Sequence, residues 1–147
     1  KAIDFANASG TASSSQELNS LYALNVTASI GYGTVPAGTD TGSTNQTATA
    51  TNTGNFNIDL EFSGADMTSG PNTIAATQQK YGTSTVAYAS LTHTLSTSPT
   101  ARNVNIGKAT TSTTASASST FWGIAVQSGQ ASGTYTGTNT FTAIFGN

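Results

Sequence analysis

The chain has 147 residues, enough for one domain with its own core and too few for two ordinary ones. Only 7% of it is charged and its net charge is −2, while six Phe, five Tyr and one Trp are present, which is not the high-charge, aromatic-poor signature of disorder. Lys1, Lys80, Arg102 and Lys108 stand singly and make no basic patch for nucleic acid; no apolar run reaches the roughly eighteen residues of a membrane span; and zero cysteines exclude disulfides and thiolate metal sites.

Residues 1–9, KAIDFANAS, read as a short strand with Ile3 and Phe5 on one face, and Gly10–Ser15 as a breaker-rich tether. This divides the chain into an N-terminal extended strand with a flexible linker, residues 1–15, and a single sandwich domain, residues 16–147. Lys1 in place of Met reads as the point where a leader was removed, or as the edge of an excised segment.

Between Leu18 and Tyr32 the even positions are mostly apolar, which predicts a long half-buried strand or a strand with a bend. Ser14 and Glu17 also fit a capping box, so a short helix through Leu21 and Tyr22 is the alternative entry. After the turn VPAGTDTG, residues 43–52 predict a Thr/Ala strand. The break Thr53–Asn55 then leads to the clearest alternation in the chain, where Phe56, Ile58, Leu60 and Phe62 interleave with Asn57, Asp59, Glu61 and Ser63.

Val86 with Tyr88, or Ala87 with Ala89 and Leu91, predicts a strand of open register; Val104 and Ile106 mark another, and residues 121–126 a fully apolar one. Residues 109–119 are low in complexity and read equally as strand or loop. At the end, Tyr135, Phe141, Ala143 and Phe145 face one way and a row of Thr faces the other. About eight short strands with a turn every ten residues or so give an all-β fold, a Thr-rich antiparallel β-sandwich or jelly roll with an N-terminal extended strand. Thr suits this role because it is β-branched and keeps an outer face wet. Edges with so little charge and Pro are poorly defended against pairing with another chain.

Chemistry-bearing residues are few. His93, the single histidine, has no neighbour that completes a nucleophile–base pair and reads as a sheet or surface histidine. Asp59 and Glu61 share one face of a strand, as a glycosidase pair or a calcium site would, but equally as the solvated side of an amphipathic strand. Asp40 and Asp66 sit in turn sequences, and Gly31, Gly33 and Gly38 match no phosphate-binding loop. These residues predict no enzyme, no cofactor and no metal. Asn7, Asn25 and Asn45 open glycosylation sequons, which makes surface glycans a possible addition.

Three stretches carry a resemblance. VPAGTDTGSTNQTATATNTGNFNIDLEFSG resembles the corresponding hairpin of TasA/camelysin-type jelly-roll surface proteins and of archaeal bundling pilins. SGTYTGTNTFTAIF is similar to the last strand of secreted sandwich families, among them archaic chaperone–usher pilins and wall-associated modules, and KAIDFA is similar in kind to the donor strands of such pilins. The resemblance implies a secreted, cell-surface subunit whose partners are copies of itself in a homopolymeric filament. Ala2, Ile3, Asp4, Phe5 and Ala6 would be the donor strand. The acceptor groove or core would come from Phe56, Ile58, Leu60, Phe62, Tyr135, Phe141 and Phe145. The competing expectation is a monomeric adhesion or carbohydrate-binding sandwich, which would cluster Tyr32, Tyr81 or Trp122 on an exposed face; a hydrolase on the same scaffold would need a carboxylate beside His93.

Overall fold

The computed structural model describes residues 2–3, 9–10, 19–27, 29–109 and 115–146. Two short strands come first, β1 (Ala2–Ile3) and β2 (Ser9–Gly10), paired antiparallel with each other, Ala2 opposite Gly10 and Ile3 opposite Ser9. The body follows as β3 (Leu24–Val26), β4 (Gln46–Asn52), β5 (Ile58–Gly64), the hairpin strands β6 (Met67–Ser69) and β7 (Asn72–Ile74), β8 (Gln79–Gly82) and β9 (His93–Thr94). It closes with β10 (Thr100–Ile106), β11 (Ala117–Ile124) and β12 (Asn139–Phe145).

The fold is all-β, an antiparallel sandwich of a five-stranded sheet, β3-β4-β11-β8-β9, and a three-stranded sheet, β10-β5-β12. Period-two patterning decides which side of each strand enters the core. On β5, Ile58, Leu60, Phe62 and Gly64 are buried while Asp59, Glu61 and Ser63 face outward. From the other sheet Ala48 and Ala50 of β4, Tyr81 of β8 and Trp122 of β11 meet them, with Ile106 of β10 closing the same cluster. Tyr81 and Trp122 stack with ring centroids 4.7 Å apart, and Phe62 packs edge-on to Trp122. Burying side chains of this size contributes about 1.5–3 kcal/mol each.

Two polar residues hold the sheets in register. Asn52 is fully buried where the chain crosses from one sheet to the other. Its amide nitrogen donates to the carbonyls of Phe56, Ile106 and Gly107, and its oxygen accepts the Gly54 N–H. Gln79 is also buried, and its Oε1 accepts both the Tyr32 hydroxyl, at 2.9 Å, and the Asn139 amide, at 2.8 Å. Each leaves few buried polar atoms without partners, which is the condition for tolerating them in a core.

Three expected elements differ. The long strand from Leu18 to Tyr32 reduces to Leu24–Val26, because Ile30 and Tyr32 turn in to pack on the core and Tyr32 bonds to Gln79. Leu21–Ala23 is not helical, and Ser14, Glu17 and Leu18 lie outside the described residues. The strand expected at Val86–Leu91 is a 3₁₀ turn, Tyr88–Ser90, which places Tyr88 and Leu91, three residues apart, on one buried side. They occupy the space beside Gly123, where an added Cβ would come within 3.1 Å of both. In its place β8 supplies a strand that hydropathy hid, since its buried members are Gln79, Tyr81 and Gly82.

Candidate functional site

β5 is flanked by two edge strands of seven residues each, and they end the sheet differently. β12 pairs with β5 without interruption, from Asn139 opposite Gly64 to Phe145 opposite Ile58. At its two ends Ala65 N–H donates to the Thr138 carbonyl and Gly146 N–H to that of Asn57. Antiparallel alternation therefore turns the main chain of Thr140, Thr142 and Ile144 toward β5 and that of Phe141, Ala143 and Phe145 outward. No described residue takes those outward groups. The strand NTFTAIF has no charge, no Pro and no bulge.

The side chains of Phe141, Ala143 and Phe145 point to the inner face, opposite Phe62, Leu60 and Ile58. Phe141 and Ala143 are half-buried, but Phe145 is 57% exposed. Beside them lies β3, whose Leu24 and Val26 also pack against the core. A cleft of about 300 Å³ separates β12 from the segment after β3, lined by Val26, Ile30, Tyr32, Met67, Asn139 and Phe141. At the lower end Tyr22, Phe56 and Phe145 form an aromatic cluster, with centroids 5.4–6.5 Å apart, and Leu21 beside it in sequence is 56% exposed.

β10 is built against such pairing. Between the pairs Arg102–Leu60 and Ile106–Ile58, three residues of β10 face the single residue Asp59. Asp59 Oδ1 accepts the N–H groups of Val104 and Asn105, at 3.0 and 2.8 Å, and Asn105 has φ 46°. Asn tolerates that left-handed geometry better than most residues. Arg102, paired opposite buried Leu60, points a charge into the sandwich. Bulges and inward-pointing charges are devices that protect sheet edges.

The remaining sequence candidates fall as follows. Ala2 and Ile3 form β1, and Asp4, Phe5, Ala6 and Asn7 lie outside the described residues. Ile58, Leu60 and Phe62 are core; Phe56 is half-buried; Tyr135 precedes β12, its hydroxyl accepting from Gln130 Nε2 and donating to the Ala131 carbonyl. Asn25 is exposed on β3. Asn45 Oδ1 accepts the Val86 N–H and its Nδ2, the atom a glycan would be joined to, is buried. Asp40 accepts the Gly42 N–H and Asp66 the Ala76 N–H, both holding loops. Trp122 and Tyr81 are buried and Tyr32 is half-buried, so those aromatics form no exposed platform.

His93 on β9 packs against Tyr81, centroids 5.4 Å apart. Burial, and then the charge of Arg102, lower its pKa below the ordinary histidine value. Among the described residues no group of three or more His, Asp or Glu side chains is placed to hold a metal, and no helix is long and apolar enough to cross a membrane. Sequence reading missed the inward Arg102 and the bulge that Asp59 holds, although Asn103-Val104-Asn105 inside a strand-like run was a signal for one. Comparison with known protein families, characterised proteins and solved structures found no match.

Proposed function

We propose that the chain is the structural subunit of an extracellular filament or pilus, in which the N-terminal strand Ala2–Ala6 of one copy adds along β12 of the next. One observation carries this reading. β12 is an uninterrupted, uncharged edge whose outward main-chain groups find no partner among the described residues, while the opposite edge of the same sheet is protected by a bulge and an inward charge.

Strand addition needs no side-chain chemistry, only an edge and apolar space beside it. Ile3 and Phe5 share a face in an extended strand and match the inward row of half-buried Phe141 and Ala143 and exposed Phe145. Their burial contributes roughly 3–6 kcal/mol, and the new ladder adds to it. The pairing with Ser9–Gly10 engages two residues on each side, and so small a ribbon is marginal alone. Exchanging it for a longer ladder on β12 favours transfer. Donor and acceptor are different surfaces, so the contact is head-to-tail and propagates.

Deleting residues 1–9 tests the reading directly. The truncated chain should remain a folded monomer by sedimentation and circular dichroism, and the full chain should form fibres in negative-stain images. Fibres from the truncated chain, or a full-length chain that stays monomeric at high concentration, overturn it. Phe5→Asp should stop assembly while leaving the subunit folded. The aromatic cluster of exposed Tyr22 and Phe145 on half-buried Phe56 favours one other reading, a surface adhesion module; glycan binding by a monomeric chain, lost in Tyr22→Ala, would replace the filament with it.

A further inference from the structure

On the flank away from β12, a cleft of about 250 Å³ opens between β10 of the smaller sheet and β8–β9 of the larger, lined among others by Phe62, Tyr81, His93, Arg102, Val104 and Thr120. Arg102 reaches into it. One of its terminal nitrogens donates to the carbonyl of the adjoining Ala101 at 3.1 Å, and its Nε is buried with no hydrogen-bond partner among the described residues. A guanidinium stays charged at any ordinary pH, and a charged N–H held away from water without an acceptor is costly.

The acidic residues among the described ones do not serve it. Glu61 and Asp59 lie on the outer face of β5, and Asp59 is held by the amides of Val104 and Asn105. Asp40 and Asp66 are each engaged by a loop amide. The guanidinium is met instead by the Tyr81 hydroxyl, where burial raises the pKa and the charge and hydrogen bonding of Arg102 lower it, and by His93, whose protonation it opposes; Nε itself stays without a partner among the described residues. Three groups able to donate hydrogen bonds, on three different strands, therefore converge on one cleft.

Two coplanar oxygens are what a guanidinium edge meets best, since Nε and one terminal nitrogen donate in parallel in one plane. We propose that the Tyr81–His93–Arg102 cleft binds a carboxylate, as a small organic acid or an acidic sugar unit. At ~30 Å³ per water the cleft holds the equivalent of about eight waters, room for a carboxylate and several attached atoms. Binding tightens as pH falls through the His93 titration, because the imidazolium adds a second positive charge. The titratable or charged groups facing the cleft are Tyr81 from β8, His93 from β9 and Arg102 from β10; β5 and β11 present Phe62 and Thr120.

His93 is the only histidine, so its imidazole resonance reports the site without ambiguity in the full chain. Titration with sodium acetate should raise the His93 midpoint in a saturable way, and sodium chloride at equal ionic strength should not. Sodium glucuronate binding more tightly than acetate, with glucose silent, assigns the acidic sugar; equal binding assigns the carboxylate alone. Arg102→Met should weaken acetate at least about tenfold, the loss of one charge-assisted hydrogen bond. Replacing a buried charge with an apolar side chain of similar length is usually tolerated. Should that variant fail to fold, the Arg102 Nε–H resonance of the unaltered chain decides, because acetate must shift it downfield. An unmoved Nε–H, a shift that chloride reproduces, or unchanged affinity in a folded Arg102→Met sinks the proposal.

Discussion

β10 and β12 are of equal length and are the two edges of the same sheet, yet only one of them is protected against a further strand. β10 spends three residues opposite one, pins that bulge to Asp59 and turns Arg102 inward; β12 keeps perfect register and presents Thr outward and Phe inward. Composition alone does not distinguish a protected edge from an available one in a chain with so few charges. What distinguishes them is where a single carboxylate and a single guanidinium fall relative to the pleat.

The largest effect expected is on the strand both edges share. Phe62→Ala should cost about 3–5 kcal/mol in urea denaturation, because its ring contacts Tyr81, Trp122 and Phe141 at once. A loss below 1 kcal/mol would mean that β5 is not the common support. Asp59→Ala comes next, at about 2–3 kcal/mol, since it releases two amide donors from a charged acceptor. With its bulge loosened β10 should become sticky, which light scattering would register as irregular aggregates; a variant as soluble as the parent argues that the bulge is not protective.

Ala143→Arg transfers the inward charge to β12. It should cost about 1–2 kcal/mol, within the ordinary range for a point change, and abolish strand addition. Fibres of normal length in that variant would remove β12 as the acceptor. The smallest effect is a pH dependence. The His93 pKa is lowered in the folded state, so the unfolded chain binds the extra proton first; stability is full above the unfolded value of about 6.5 and declines as pH falls toward the folded one. The decline should vanish in His93→Gln, measured as midpoint against pH.

Much of the sandwich was legible because its strands bury one side. The alternation at Phe56–Ser63 marked β5, the Thr/Ala run marked β4, and Phe121–Ile124 marked the end of β11. β8 escaped because Gln79 and Gly82 are buried by hydrogen bonding and close packing, to which a hydropathy pattern is blind. The turn at Tyr88–Ser90 escaped because an i, i+3 pair of apolar residues resembles a broken alternation. The weak defence of the edges was readable as a general property. Which edge stays open depends on the bulge, and a bulge is fixed by a contact between Asp59 and Asn105, 46 positions apart.

That separation is small beside the one between β5 and β12, whose paired residues lie roughly eighty positions apart. At synthesis rates of about 5–20 residues per second, β5 waits several seconds for its C-terminal neighbour. During that interval the side of β5 that β12 will cover has nothing of its own chain to pair with from that end. A β12 from a neighbouring nascent copy carries the same sequence and meets the same partners, so dense synthesis favours exchange of this last strand between molecules. The order in which the two strands are made is thus a constraint on this sheet that its register alone does not express.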